Sequence, residues 1–247
     1  MRAGLRARAA SLARHVELLV FPSFCRLCSR PLGRPGEKVV CRECWEALAP
    51  RRGPACLCCG RFFEGAGGDH LCGRCLERVP PYTVHRSCGR YDGVLRDIIL
   101  LFKYGRVSAL GRPLARFAAA ALEAEEGLWE GADGLVPVPL HPKRKRERGF
   151  NQSQVLAREL ARMRGLAVVD NGLVKVRNVP PQASLEAAGR EANVRGAYTV
   201  RRRARVEGRV LVLVDDVFTT GSTLGECGLA LKRAGAREVR ALTLAQA

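Results

Sequence analysis

The stretch richest in side chains able to do chemistry is Val210-Leu-Val-Leu-Val-Asp215-Asp216-Val217-Phe-Thr219-Thr220-Gly221-Ser222-Thr223. Its aliphatic half predicts a strand buried on both faces of a parallel sheet. Two adjacent carboxylates follow, then small hydroxyl residues and a glycine that open a helix. Gly221 lets the backbone approach a ligand closely, and the N–H groups of a helix start favour a phosphate. The hydroxyls of Thr219, Thr220, Ser222 and Thr223 can add donors. Asp215 and Asp216 would repel that phosphate. They suit the vicinal hydroxyls of a sugar, or a hard cation held through water. One site holding a ribose and its 5′-phosphate accounts for the whole string. An ordinary Asp-capped helix would explain one Asp and one Thr. A Walker A loop is absent.

A second concentration is cationic. Lys143, Arg144, Lys145, Arg146 and Arg148 are five cations in six positions, beside Glu147. They form a basic loop after an extended run, residues 135–140, whose two prolines suit a strand end or an edge. The loop therefore falls at the same sheet edge as Asp215. Forked guanidiniums match a polyanion such as pyrophosphate bidentately. A solvated basic turn or a nucleic-acid backbone contact would use the same charges, and both stay open. Asn151, after the turn residue Gly149, reads as an N-cap.

The third concentration is thiol. Eight of the eleven cysteines form the C-x-x-C pairs Cys25/Cys28, Cys41/Cys44, Cys56/Cys59 and Cys72/Cys75, with eleven or twelve residues between pairs. Two thiolates on one tight turn supply adjacent corners of a tetrahedron, which points to one or two zinc ions. Four thiolates leave no open position, so the role is structural. Whether consecutive pairs share an ion or the pairs interleave, the spacing does not decide. Disulfides belong to secreted chains, and the opening segment is a poor secretory signal: the apolar stretch 16–21 is short, holds Glu17 and runs into Pro22. Its Arg-rich start also fits an organellar transit peptide; a reducing cytoplasm is the reading adopted. Cys88 and Cys227 read as small buried hydrophobes, and His70 as a loop histidine.

These groups need a scaffold, and the composition supports one. The chain of 247 residues is 47% hydrophobic and 27% charged, which allows a substantial core and excludes global disorder. No apolar run reaches the roughly 18 residues that would cross a bilayer. The net charge of +18 favours polyanionic partners, while 6% aromatics leaves few platforms for base stacking. Residues 1–24 predict a short basic amphipathic helix. Residues 25–80 carry too few large apolar side chains to hold themselves together without metal. Over 81–247 helices are expected at 92–104, 114–125, 152–164 and 221–234, and strands at 135–140, 209–214 and 239–244. The alternation means α/β architecture, a mainly parallel sheet flanked by helices with ligands beyond the carboxyl ends of its strands.

The acidic-pair segment resembles the phosphoribosyl pyrophosphate (PRPP) loop of type I phosphoribosyltransferases. Its Asp-Asp-Val-x-Thr-Thr-Gly form is nearer the orotate enzymes than the hypoxanthine–guanine ones, which carry a proposed general base where this chain has Thr219. Val136-Pro-Val-Pro-Leu-His141-Pro-Lys143 through Arg148-Gly149-Phe150-Asn151-Gln152 is similar to the hallmark of the ComF family of competence proteins. So are Tyr91-Asp-Gly-Val-Leu-Arg96, Lys103-Tyr104-x-Arg106, and Gln182, Leu185, Arg190, Asn193, Gly196 and Ala197. Paired cysteine knuckles ahead of these blocks are typical of the same family. Cys58, an extra thiol inside the third knuckle, and Val179 depart from the pattern.

The resemblance implies a double zinc-ribbon module at 25–80 and a type I phosphoribosyltransferase-like domain at 81–247. It implies Mg²⁺ with PRPP, or ribose phosphate, on Asp215, Asp216, Val217, Thr219, Thr220, Gly221, Ser222 and Thr223. The pyrophosphate is expected on His141, Lys143, Arg144, Arg146 and Arg148, with residues 177–197 as the loop closing over the site. It implies a role in natural competence: single-stranded DNA handled on the cytoplasmic side of the uptake machinery, with a helicase or pore protein as partner and a place at the inner face of the membrane. Transfer of phosphoribosyl to an unidentified acceptor, including an amidophosphoribosyltransferase-like reaction, is the alternative, and a transcription regulator on the same fold a third.

Overall fold

The computed structural model describes residues 23–33, 37–65, 67–177 and 194–247. The helix expected over 1–24, apart from its last two positions, lies outside them, as do Gln182, Leu185, Arg190 and Asn193. The chain forms two compact units, Met1–Ala49 and Pro50–Ala247.

The first unit is built on a cysteine knuckle. The Ser29 N–H donates to the Cys25 carbonyl (2.9 Å) and the Cys25 N–H to that of Arg30 (2.7 Å). Cys41 then starts the short helix α1, Arg42–Glu46. The same design recurs in the second unit. Gly60 donates to Cys56 (2.9 Å), Cys56 to Arg61 (2.8 Å), and Cys72 starts α2, Gly73–Glu77. Every position of the second copy lies 31 after its counterpart, Cys25 to Cys56 and Cys44 to Cys75. Ser29 and Gly60 are both left-handed, at φ 60° and 62°. The two knuckles are one motif written twice.

The second unit is α/β, as the alternation requires. Its sheet contains β1 (His85–Arg90), β2 (Gly134–Pro137), β3 (Ala167–Val168), β6 (Val210–Phe218) and β7 (Glu238–Gln246), all parallel, in the order β1-β7-β6-β2-β3. The short strands β4 (Leu173–Lys175) and β5 (Tyr198–Val200) pair antiparallel beside it. The helices are α3 (Gly93–Tyr104), α4 (Gly111–Ala121), α5 (Glu126–Trp129), α6 (Pro142–Arg148), α7 (Gln152–Arg164) and α8 (Ser222–Arg233). β6 is the spine: Leu211, Val212, Leu213 and Val214 are wholly buried, each contributing about 1.5–3 kcal/mol. Leu211 and Leu213 join a core that also holds Tyr82, Leu224, Leu231 and the cysteines of the second knuckle.

Connectivity decides where a ligand goes. From β2 the chain crosses through α7 to β3 on one side, while from β6 it crosses through α8 to β7 on the other. Right-handed crossovers in opposite directions put α7 and α8 on opposite faces. A crevice therefore opens between β2 and β6 at their carboxyl ends.

The basic loop is corrected to a helix, α6. Pro142 stands in its first turn, the Lys143 N–H donates to His141 Nδ1 (3.3 Å), and left-handed Gly149 ends it. Arg144 and Glu147, one turn apart, pair at 3.1 Å. Glu147 thus lets a run of cations coil. Strand β1 was not foreseen either, because His85 and Ser87 read as polar although both are buried. Among the described residues no helix is long and apolar enough to cross a membrane.

Candidate functional site

β6 runs four residues beyond the expected end at 214, so Asp215 and Asp216 lie within it, just past the last pair with β2 (Pro137 with Val214) and at the mouth of the β2–β6 crevice. The Lys103 ammonium of α3 pairs with Asp216 at 2.8 Å, both side chains nearly buried. Burial alone would depress that ammonium, but the carboxylate outweighs it and holds the lysine above its ordinary value. Asp215 accepts from the Ser153 hydroxyl and the Asp216 N–H, both at 2.9 Å. Burial and the neighbouring Asp216 charge nevertheless push its carboxyl up to about 7, against the opposing pull of those donors and Lys103. The free site is thus short of positive charge.

Beyond the acids the chain makes the bend the sequence predicts. Gly221, at φ 79°, is the N-cap of α8 and has no side chain to cap it, while the Ser222 N–H reaches the Thr220 hydroxyl oxygen at a long 3.5 Å. The ordinary Asp-capped helix is thereby excluded, and the first turn of α8 keeps the N–H groups that suit an anion. A Cβ on Gly221 would lie 2.9 Å from the Phe218 ring. The Thr220 and Ser222 hydroxyls share a hydrogen bond of 2.8 Å, while Thr219 is exposed.

The blocks scattered along the sequence meet here. Val138 donates to the Val214 carbonyl (3.0 Å), so α6 leaves β2 next to the acids. The Asn151 side chain accepts from Ser153 N as an N-cap (3.1 Å) and donates to the Val138 carbonyl (3.0 Å). The wholly buried Gln152 donates to the Phe102 carbonyl (3.4 Å) and accepts from Arg148 (3.1 Å). Arg148 lies over the Tyr104 ring at 5.4 Å, and Arg106 donates to the Glu147 carbonyl (3.1 Å). Lys143, Lys145 and Arg146 are exposed on α6. Lys175 on β4, whose ammonium lies over the Tyr198 ring at 5.2 Å, is near enough to feel the Asp215 charge: burial lowers its ammonium, the Asp215 carboxylate opposes that shift and the Arg144 cation reinforces it. Sequence reading missed Ser153 and Lys175, and had no role for Lys103. A buried hydroxyl or lysine in an otherwise ordinary element carries no local signal. Of the expected closing loop, Arg177 and residues 194–197 fall within the described structure.

The cysteine pairing left open by the spacing is consecutive. Cys25, Cys28, Cys41 and Cys44 form one cluster and Cys56, Cys59, Cys72 and Cys75 another, the four sulfurs of each cluster lying within 4.8 Å of one another. Zinc bound to sulfur at about 2.3 Å makes a tetrahedron with edges of about 3.8 Å. The measured Cys28–Cys41 and Cys59–Cys72 separations are 3.6 Å, and Cys25–Cys44 is 3.9 Å. Both donor sets fit structural zinc. Burial alone would raise the Cys56 thiol, but N–H groups of Cys72, Cys59 and Cys58 reverse this and bring it to about 6, favouring the thiolate. His70 stays outside, stacked on Phe63 at 4.0 Å, and Cys58 donates to the Tyr82 carbonyl at 3.6 Å. Cys88 and Cys227 are buried.

Comparison with known proteins agrees with this arrangement. Residues 17–76 match the double zinc ribbon domain and residues 146–247 the phosphoribosyl transferase domain. The DNA utilization protein YhgH of Salmonella typhimurium is 34% identical over 90% of this chain and 96% of its own length. Competence protein F of Haemophilus influenzae is 31% identical over 84% of this chain and 90% of its own. Among solved structures, the allosteric regulatory enzyme of purine biosynthesis aligns over 59% of this chain and 30% of its own, at 24% identity and a TM-score of 0.39. With its paired zinc ribbons, its phosphoribosyltransferase-like sheet and relatives that match it nearly end to end, the chain belongs to the ComF family of competence proteins.

Proposed function

We propose that this protein binds PRPP with Mg²⁺, or a ribose phosphate, in the β2–β6 crevice and serves the handling of single-stranded DNA in natural competence. The observation that carries the ligand is the acid pair in the carboxyl-terminal half of β6, followed closely by the Gly221 N-cap of α8, at a topological switch point. Asp215 and Asp216 take the ribose hydroxyls, and Lys103 and Ser153 orient their carboxylates. The 5′-phosphate lies on Val217, Thr219, Thr220, Gly221, Ser222 and Thr223. His141, Lys143, Arg144, Arg146 and Arg148 receive the pyrophosphate at the start and along the length of α6. Asp215 is a fitting neighbour for Mg²⁺, since a hard cation held through water would relieve the charge that raises its carboxyl. When bound, that ion would neutralise the diphosphate.

The DNA role is supported by the names of the relatives, DNA utilization protein and competence protein, and by the net charge of +18. Counterion release makes such binding independent of sequence and steeply salt-dependent. In this reading the protein works on the cytoplasmic side of the membrane, beside the uptake pore or its helicase.

Phosphoribosyl transfer to an acceptor is the second reading, favoured by a pocket of about 230 Å³ beside the crevice, lined by Leu140, Lys145, Asn151, Gln154, Leu173 and Lys175. An acceptor there would displace pyrophosphate from C1 of the ribose, with the α6 cations stabilising the departing charge. Calorimetry separates the possibilities. Wild type is expected to bind Mg-PRPP, and Asp215→Asn with Asp216→Asn to lose that binding while keeping single-strand affinity within about threefold. Equal loss of DNA binding would show that the two ligands share one site. Pyrophosphate release with candidate acceptors tests turnover.

A further inference from the structure

The second zinc knuckle touches the loop proposed to hold the phosphate. Arg74, one position before Cys75, donates from Nη1 to the Thr220 carbonyl at 2.7 Å, across 146 residues of sequence. Two further links run in parallel. The Cys59 carbonyl accepts from His85 Nδ1 (2.8 Å), and the His85 ring stacks on Phe218 at 4.3 Å, immediately before the loop. The other ring nitrogen of His85, Nε2, lies 3.0 Å from the Thr243 hydroxyl, so both edges of the ring are tied down. The Tyr82 hydroxyl would lie 3.5 Å from a Cβ on Gly221, and Tyr82 belongs to the same core as the four cysteines.

Behind the loop the packing is incomplete. A pocket of about 100 Å³ opens there, lined by Arg61, Arg74, Tyr82, Phe218, Thr220 and Gly221. Apolar contact therefore does not fix the peptide at 220–221. A charged donor on its carbonyl does, and by turning that carbonyl toward the knuckle it leaves the following N–H groups for the ligand side. The first knuckle has no such group: the position matching Arg74 is Glu43, which pairs with Arg30 at 3.5 Å.

We infer that Arg74 is a positioning residue for the phosphate loop, and that zinc in the Cys56, Cys59, Cys72 and Cys75 site sets anion affinity through it. The assignment deepens the phosphoribosyl reading and rests on it for the identity of the ligand. It does not rest on it for the brace itself. Loss of the second zinc would release α2, Arg74 and the 220–221 peptide together, making ligand binding conditional on metal loading.

The test uses the intact, zinc-loaded chain. Hydrogen–deuterium exchange of amides 219–223 is followed without ligand in wild type, Arg74→Lys, Arg74→Ala and Arg74→Glu, with zinc counted by native mass spectrometry. Exchange is expected to rise about tenfold or more in Arg74→Ala and Arg74→Glu and to stay near wild type in Arg74→Lys, with two zinc ions retained throughout. Affinities for Mg-PRPP and for ribose 5-phosphate should fall about tenfold in the same order. Unchanged exchange in Arg74→Ala overturns the inference, as does a lysine variant no better than alanine. If wild type ignores both ligands while the alanine variant still loosens the loop, the phosphoribosyl reading falls and the brace stands.

Discussion

The two cysteine knuckles share a fold, a spacing and a donor set, yet they are placed under different demands. In the first, Cys28 is exposed and Cys44 half-buried; in the second, all four sulfurs lie in buried residues. The first is the heart of a small unit ending at Ala49. The second belongs to the core of the α/β unit, so its metal holds both a turn and the wall of a larger domain. The left-handed position shows the difference at one residue. Ser29 has room for its side chain, whereas a Cβ on Gly60 would lie 2.3 Å from the His85 carbonyl oxygen of β1. A duplicated motif keeps its turn but not its freedom once a sheet is built against it.

Metal removal should break this comparison most sharply if it is wrong. Cys72→Ser with Cys75→Ser is expected to cost the α/β unit more than about 5 kcal/mol, since a structural zinc site contributes folding free energy directly. Cys41→Ser with Cys44→Ser should leave the main melting transition within about 2 °C. Circular dichroism melts alongside zinc content decide it, and equal losses for both pairs would end the distinction.

The glycine test is finer. Gly60→Ala must push the His85 carbonyl aside and adopt a conformation unfavourable for alanine, at a cost of about 3 kcal/mol or more. Ser29→Gly should change the first unit by less than about 1 kcal/mol. Denaturant titration followed on each unit measures both.

The smallest effect is expected from pH, and it belongs to the α/β unit. Burial and the neighbouring Asp216 charge raise the Asp215 carboxyl to about 7 in the folded protein, from its ordinary value of 3.8. Its contribution to stability is therefore fully present below about pH 4 and is lost as pH rises through about 7. Asp215→Asn lacks that slope, so without ligand it should be relatively more stable at pH 8 than at pH 4, by about 1–3 kcal/mol after allowing for relaxation. Replacing an acid proposed to meet the ribose should thus stabilise the empty fold at high pH. A wild type and variant with parallel pH profiles would show that Asp215 is ionised throughout.

Much of this was legible in the sequence because it is written locally. The run from Val210 to Val214 names its own strand, and the acids, hydroxyls and Gly221 that follow name the bend. Asn151 was recognisable as a cap. What escaped depends on residues brought together from a distance. His85 and Ser87 look like surface residues until Thr243 arrives to satisfy them (3.0 Å to His85, 2.7 Å to Ser87). The partner of Asp216 is Lys103, more than a hundred positions earlier. Zinc pairing was undecidable from spacing because every gap is nearly the same length, and a loop only one residue shorter separates the two clusters from each other. Cations at α6 hid a helix that the His141 cap and Pro142 start and that Glu147 steadies by pairing with Arg144.

The proton on Asp215 has a practical corollary for heat measurements. Near neutral pH burial keeps this proton on a share of the empty molecules, and the magnesium-bearing ligand proposed for the site, in taking the ionised form, would expel it into the medium. Binding heats recorded in Tris and in phosphate should then differ by a fraction of the ionisation enthalpies of the two buffers, and that fraction reports how much of the site is acidified before the ligand arrives.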